Sequence, residues 1–95
     1  MHKILSLEYE VARGRCGVLG ERLEVNDCYC HHIIPINAGG GDNYSNLVII
    51  SPDIHRLIHA TKSETIHQIL VKLELSKKQI AKVNKFRGRV GNIVI

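Results

Sequence analysis

A chain of 95 residues with 44% apolar content builds one small domain with a limited core, of a size that often leans on a bound metal or a partner. No stretch approaches 18 uninterrupted apolar residues, and Met1-His2-Lys3 leads into Glu8 and Glu10, so neither a membrane span nor a secretory leader is expected and the chain is expected in the cytoplasm. The formal charge of +4 is unevenly spread: residues 1–74 hold seven Lys/Arg against nine Asp/Glu, whereas residues 75–95 hold six Lys/Arg and no acid.

In chain order, residues 3–12 fit two patterns. Leu7, Tyr9 and Val11 alternate as in a strand, while Leu7 and Val11 also suit helical spacing, and the strand is preferred. Gly14, Gly17 and Gly20 then interrupt the chain around Cys16, and Gly20-Glu21 suits a turn. Cys16, Cys28 and Cys30 are odd in number and lack a C-x-x-C pair, which argues against a disulfide framework and against a structural zinc on these three. Tyr29 to Pro35 is a β-prone run, Asn37 to Ser45 a glycine-rich loop, and Leu47 to Ile50 a second apolar strand, so a hairpin with a long loop is predicted. Ser51-Pro52-Asp53 supplies a capping hydroxyl, a proline at the first helical position and an acid in the first turn, and a helix begins there with Ile54, Leu57 and Ile58 on its apolar face. Thr61 with Glu64 and Ser76 with Gln79 are each spaced as capping boxes for two further helices. The last of these turns Ile80, Val83 and Phe86 inward and is expected to end at Gly88. The class is α+β, with a central core at about residues 16–60 and a basic helical appendage at about 61–95.

The histidines carry the chemistry. His55 and His59 stand four apart on the predicted helix, so both imidazoles leave one face about a turn apart, as two ligands of one metal do. His31 and His32 lie upstream on the hairpin, and a helix folding back across it brings a third imidazole to the other two. With His31, His55 and His59 as ligands, one divalent ion (magnesium, manganese, zinc or nickel) keeps positions for water and a phosphate oxygen. His32 is then the base that takes a proton from the attacking water. Neighbours on a regular strand point to opposite faces, so both serve one site only if the strand ends or twists there. Asn46 closes the loop, where its amide can hydrogen-bond loop backbone and so orient His32 as a further catalytic-site residue. Asp42, Asn43 and Ser45 read as loop chemistry. Lys77, Lys78, Lys82, Lys85, Arg87 and Arg89 have the composition to bind the phosphates of double-stranded DNA, and equally that of a solvated helix face.

His31-His32-Ile33-Ile34-Pro35, the Gly40-Gly41-Asp42 turn, Asn46-Leu47 and His55-Arg56-Leu57-Ile58-His59 together resemble the HNH endonucleases, with the hairpin and helix as their ββα-metal finger. The spacing also resembles the nuclease domains of DNase colicins. Cys16-Gly17-Val18-Leu19-Gly20-Glu21, Cys30-His31-His32, His59-Ala60-Thr61 and Lys82-Val83-Asn84-Lys85-Phe86-Arg87 look like the C-terminal endonuclease domain of group II intron-encoded proteins. Val18-Leu19 departs from that pattern where a second cysteine would follow Cys16. The resemblance implies His32 as base, His31, His55 and His59 as ligands, a divalent metal, nicking of double-stranded DNA at the nucleoid, and a reverse transcriptase or maturase with intron RNA as partners in a full-length parent. The alternative is a DNA-binding module that keeps the fold without cutting.

Overall fold

The computed structural model describes residues 12–95 together with the backbone of residues 2–3. The strand preferred for residues 3–12 falls mostly outside the described residues. Among those described, β1 (His2–Lys3), β2 (Tyr29–His32) and β3 (Leu47–Ile50) form one antiparallel sheet in that order. The register of β2 on β3 pairs Tyr29 with Ile50, Cys30 with Ile49, His31 with Val48 and His32 with Leu47. Three helices follow: α1 (Pro52–His59), α2 (Ser63–Leu73) and α3 (Lys77–Arg89). The architecture is α+β, a ββα core of β2, β3 and α1 with two C-terminal helices.

Two of the three helices start where local chemistry provides for it. The Ser51 side chain accepts from Ile54 N–H and Pro52 occupies the first helical position, so α1 begins as its sequence implies. Ser76 and Gln79 form a reciprocal capping box at α3. The Thr61/Glu64 box does not form: the residue flanking α2 is Lys62, without a side-chain cap, which puts Glu64 one position too early for the reciprocal bond. Nor does α3 end at Gly88. It runs to Arg89 and closes at Gly91, whose φ of 86° allows Gly91 N–H to reach Gly88 O and Asn92 N–H to reach Arg87 O, the paired bonds of a Schellman turn.

The core lies between the sheet and α1 and continues into the later helices. Ile49 and Ile50 of β3, Ile54, Leu57 and Ile58 of α1, Ile69 of α2, and Val83 and Phe86 of α3 are all buried in one cluster. Burial of each such side chain stabilises by about 1.5–3 kcal/mol relative to exposure, so α3 is held by its apolar face and not only by charge. Cys16, Cys28 and Cys30 are buried in this cluster. Burial, followed by the charge of Asp27 and then of Cys16, pushes the Cys28 thiol above its ordinary pKa, so it packs as a small protonated hydrophobe. On the outside, Lys72 of α2 meets Asp53 of α1 at 2.9 Å, a surface tie worth at most about 1 kcal/mol.

The loop between β2 and β3 is ordered by one side chain. Asn46 is buried; its Oδ1 accepts from Ile34 N–H at 2.8 Å, and its Nδ2 donates to Gly41 O at 2.9 Å and Ile34 O at 3.1 Å. Both ends of the loop are thereby stapled to one amide. A Cβ on Gly40 would stand 1.8 Å from Ile34 O, so only glycine lets the loop backbone approach so closely.

Candidate active site

The strand β2 delivers His31 and His32 to the place where it ends. Beyond His32 the chain leaves the ladder through Ile33–Pro35, while Ile33 N–H is still held by Asn46 O at 2.8 Å. The opposed directions expected of strand neighbours are resolved at this end: both imidazoles are buried, and both line one cleft of about 240 Å³ with Pro35, Ile36, Asn37, His59 and Val90. His59 reaches the cleft from the last turn of α1.

His31, His55 and His59 stand together. The rings of His55 and His59 are 5.0 Å apart between centroids, and those of His31 and His59 5.9 Å, each pair edge to face. Tyr29 packs on His55 at 4.5 Å and Phe86 of α3 on His31 at 5.7 Å, so each ring is also supported from outside the trio. Desolvation, then the charges of His59 and His55, lowers the His31 pKa to about 4. Burial first, with charge second, lowers His55 and His59 as well. All three are therefore neutral near pH 7, the form in which imidazole offers a lone pair to a metal.

Among the described residues, no three His, Cys, Asp or Glu side chains already converge as a metal-holding group. One atom nevertheless argues that this trio fits a metal. His31 Nε2 is buried and has no hydrogen-bond partner among the described residues, an arrangement that costs about 1–3 kcal/mol unless something satisfies the nitrogen.

His32 is set apart from the trio by its partner. Its Nε2 lies 2.7 Å from Asp42 Oδ1. A carboxylate only accepts, so Nε2 carries the proton and the lone pair of the neutral ring is on Nδ1. The Asp42 side chain is 85% exposed, against 7% for His32. This pairing was not apparent from sequence: Asp42 reads as one polar residue of a glycine-rich loop, and its signals were its place in the Gly40-Gly41-Asp42 turn and its being the single acid between the histidine pair and Asn46.

The basic residues divide. Lys78, Lys82, Lys85 and Arg89 follow helical spacing along one exposed stripe of α3, and Lys77 is exposed at its first turn. Arg87 departs from the expected DNA-binding set. It is 1% exposed and donates to the carbonyls of Leu57 (2.6 Å), Ala60 (2.8 Å) and Ile93 (2.8 Å). The reason is its place on the helix: Val83, Phe86 and Arg87 share the face packed on α1, so its guanidinium is turned inward to the C-terminal carbonyls of α1.

A hairpin, a stapled loop and a helix that gather four imidazoles, three of them lining one cleft, define a ββα domain. The HNH endonuclease family matches residues 14–61, half of the chain, and the chain belongs to that family. It is also similar to the type IV methyl-directed restriction enzyme EcoKMcrA of Escherichia coli (strain K12), with 36% identity over 50 residues. That region is 50% of this chain and 18% of the restriction enzyme, so the chain spans less than a fifth of its length. No solved structure matches the chain significantly. Among the described residues, no helix is long and apolar enough to cross a membrane.

Proposed function

We propose that this protein is a metal-dependent DNA endonuclease that hydrolyses a phosphodiester, nicking one strand of double-stranded DNA, with His32 as general base. The observation that carries this reading is the division of the histidines. Three stand as a neutral cluster containing a buried nitrogen without a partner among the described residues, and the fourth is paired with Asp42 beside the same cleft. Family membership and the similarity to a restriction enzyme support a nuclease.

His31, His55 and His59 would hold the divalent ion; when bound it supplies charge neutralisation at a phosphate oxygen, and three imidazoles suit zinc, nickel or manganese, with magnesium possible when phosphate completes the shell. The remaining steps belong to the chain. His32 takes a proton at Nδ1 from the water that attacks phosphorus, and the Asp42 carboxylate holds the ring in that tautomer and stabilises the imidazolium that forms. Asn46 contributes by fixing the backbone of Ile34 and Gly41, the two limbs of the loop that carries Asp42. The likeness to group II intron endonuclease domains, with a reverse transcriptase or maturase and intron RNA as partners, belongs to the same proposal and rests on the sequence stretches that carry it. Action at the nucleoid follows from a DNA substrate.

The reading is tested by supercoiled plasmid relaxation after chelation, with magnesium, manganese or zinc then restored. Nicking that returns with metal is the expected result; DNA binding without nicking under any metal would favour a module that keeps the fold but does not cut. The exposed stripe on α3 makes a second expectation. Neutralising Lys78, Lys82 and Lys85 to glutamine is expected to weaken DNA binding at low salt and to flatten the dependence of log affinity on log salt by about one unit per lysine. An unchanged slope would place the DNA surface elsewhere.

A further inference from the structure

The last turn of α1 carries His59, and its carbonyls are among those a helix leaves without internal partners. Ala60 leaves the helix in extended backbone (φ −68°, ψ 136°) in place of a left-handed cap. The carbonyls are met from a distant part of the chain. Arg87 Nη1 donates to Leu57 O at 2.6 Å and to Ala60 O at 2.8 Å, and Asn92 Nδ2 donates to Ile58 O at 2.9 Å. In sequence, His59 stands between Ile58 and Ala60, so the backbone on both sides of it is gripped from the C-terminal segment.

The grip is itself held in shape. The Schellman turn at Gly91 bends the chain so that Asn92 N–H reaches Arg87 O at 2.8 Å, and Arg87 Nε holds Ile93 O at 2.8 Å. Asn84 bonds both ways with Ile95, through Oδ1 to its N–H at 2.8 Å and through Nδ2 to its carbonyl at 3.2 Å, which straps the tail back along α3. One residue earlier than Arg87, Phe86 packs its ring 5.7 Å from that of His31. The end of α3 thus reaches two of the clustered imidazoles, one by ring contact and one through the backbone that carries it. A planar guanidinium suits this use, since its rigid fork presents several donors at once and its charge lies at the negative end of the α1 dipole.

We propose that Arg87 and Asn92 are positioning residues for the His59 imidazole: by holding the carbonyls of Leu57, Ile58 and Ala60 they set where its ring stands against those of His31 and His55. The consequence for metal rests on the reading of His59 as a ligand; the positioning itself does not. The C-terminal segment then belongs to the histidine site through its inner face, whatever its outer lysines bind.

Asn92→Ala removes one donor while the buried arginine stays. In NMR spectra of the metal-free protein its His59 ring resonances are expected to move, with those of His32 unmoved. Calorimetric titration with a simple zinc salt is expected to show affinity about 10- to 100-fold weaker than wild type. Arg87→Lys keeps the charge without the fork and is expected to give the same displacement. Ile69→Val, a mild core truncation that leaves these hydrogen bonds in place, controls for loss of stability and should leave the His59 resonances and the zinc affinity at wild-type values. His59 resonances that stay at wild-type positions in both Asn92→Ala and Arg87→Lys would overturn the proposal. Wild-type protein that binds no zinc would sink the metal reading alone, and the ring resonances would still decide the positioning.

Discussion

Replacing His32 by alanine is expected to lower metal-restored plasmid nicking by about 10²- to 10⁴-fold while metal affinity stays near the wild-type value. The expectation follows from the separation of the four imidazoles. His32 engages Asp42 through Nε2, whereas His31, His55 and His59 pack on one another with centroid spacings of 5.0 and 5.9 Å. On the roles proposed for these histidines, removing the base takes away proton transfer and leaves the ligand set whole. His59→Ala, by contrast, is expected to weaken both metal binding and nicking, because it removes the ring common to both close pairs. Calorimetry and nicking on the two variants side by side provide the check. Equal loss of metal from both would refute the division of roles.

The second large effect is on stability. Arg87→Met is expected to destabilise the protein by about 3 kcal/mol or more, since the substitution fits an aliphatic chain into the site but leaves the carbonyls of Leu57, Ala60 and Ile93 without their donor. For a domain of this size that is a fall in melting temperature of roughly 10 °C or more. Lys85→Met, two residues away on the exposed stripe, is expected to change stability by no more than about 0.5 kcal/mol. The pair inverts for DNA: the salt dependence of binding should flatten for Lys85→Met and stay unchanged for the folded fraction of Arg87→Met. A melting temperature for Arg87→Met equal to wild type would mean that the guanidinium is not held as the structure shows.

These two cases mark what can be read along a chain. A capping hydroxyl followed by proline, a Ser/Gln pair three apart and histidines at i and i+4 act within a turn or two of backbone, and α1, the box at Ser76 and the shared face of His55 and His59 follow from them. The Thr61/Glu64 pair has the same spacing and fails. Where the helix begins is decided by the extended connection from Ala60, whose carbonyl is taken by Arg87 from 27 residues on. A local signal holds only while tertiary contacts leave its backbone free to follow it.

By itself, then, the sequence determined the ββα core and its two added helices, the histidine series and its order, and the acid-free basic C-terminus, because hydrophobic period, capping and residue spacing are short-range properties. Only the tertiary structure decided that Asp42 pairs with His32, that His31 and His32 share one cleft at the strand's end, and that Arg87 turns inward while its basic neighbours face solvent. Charge in a sequence has a sign and a position but no direction, and direction is set by which face of α3 meets α1.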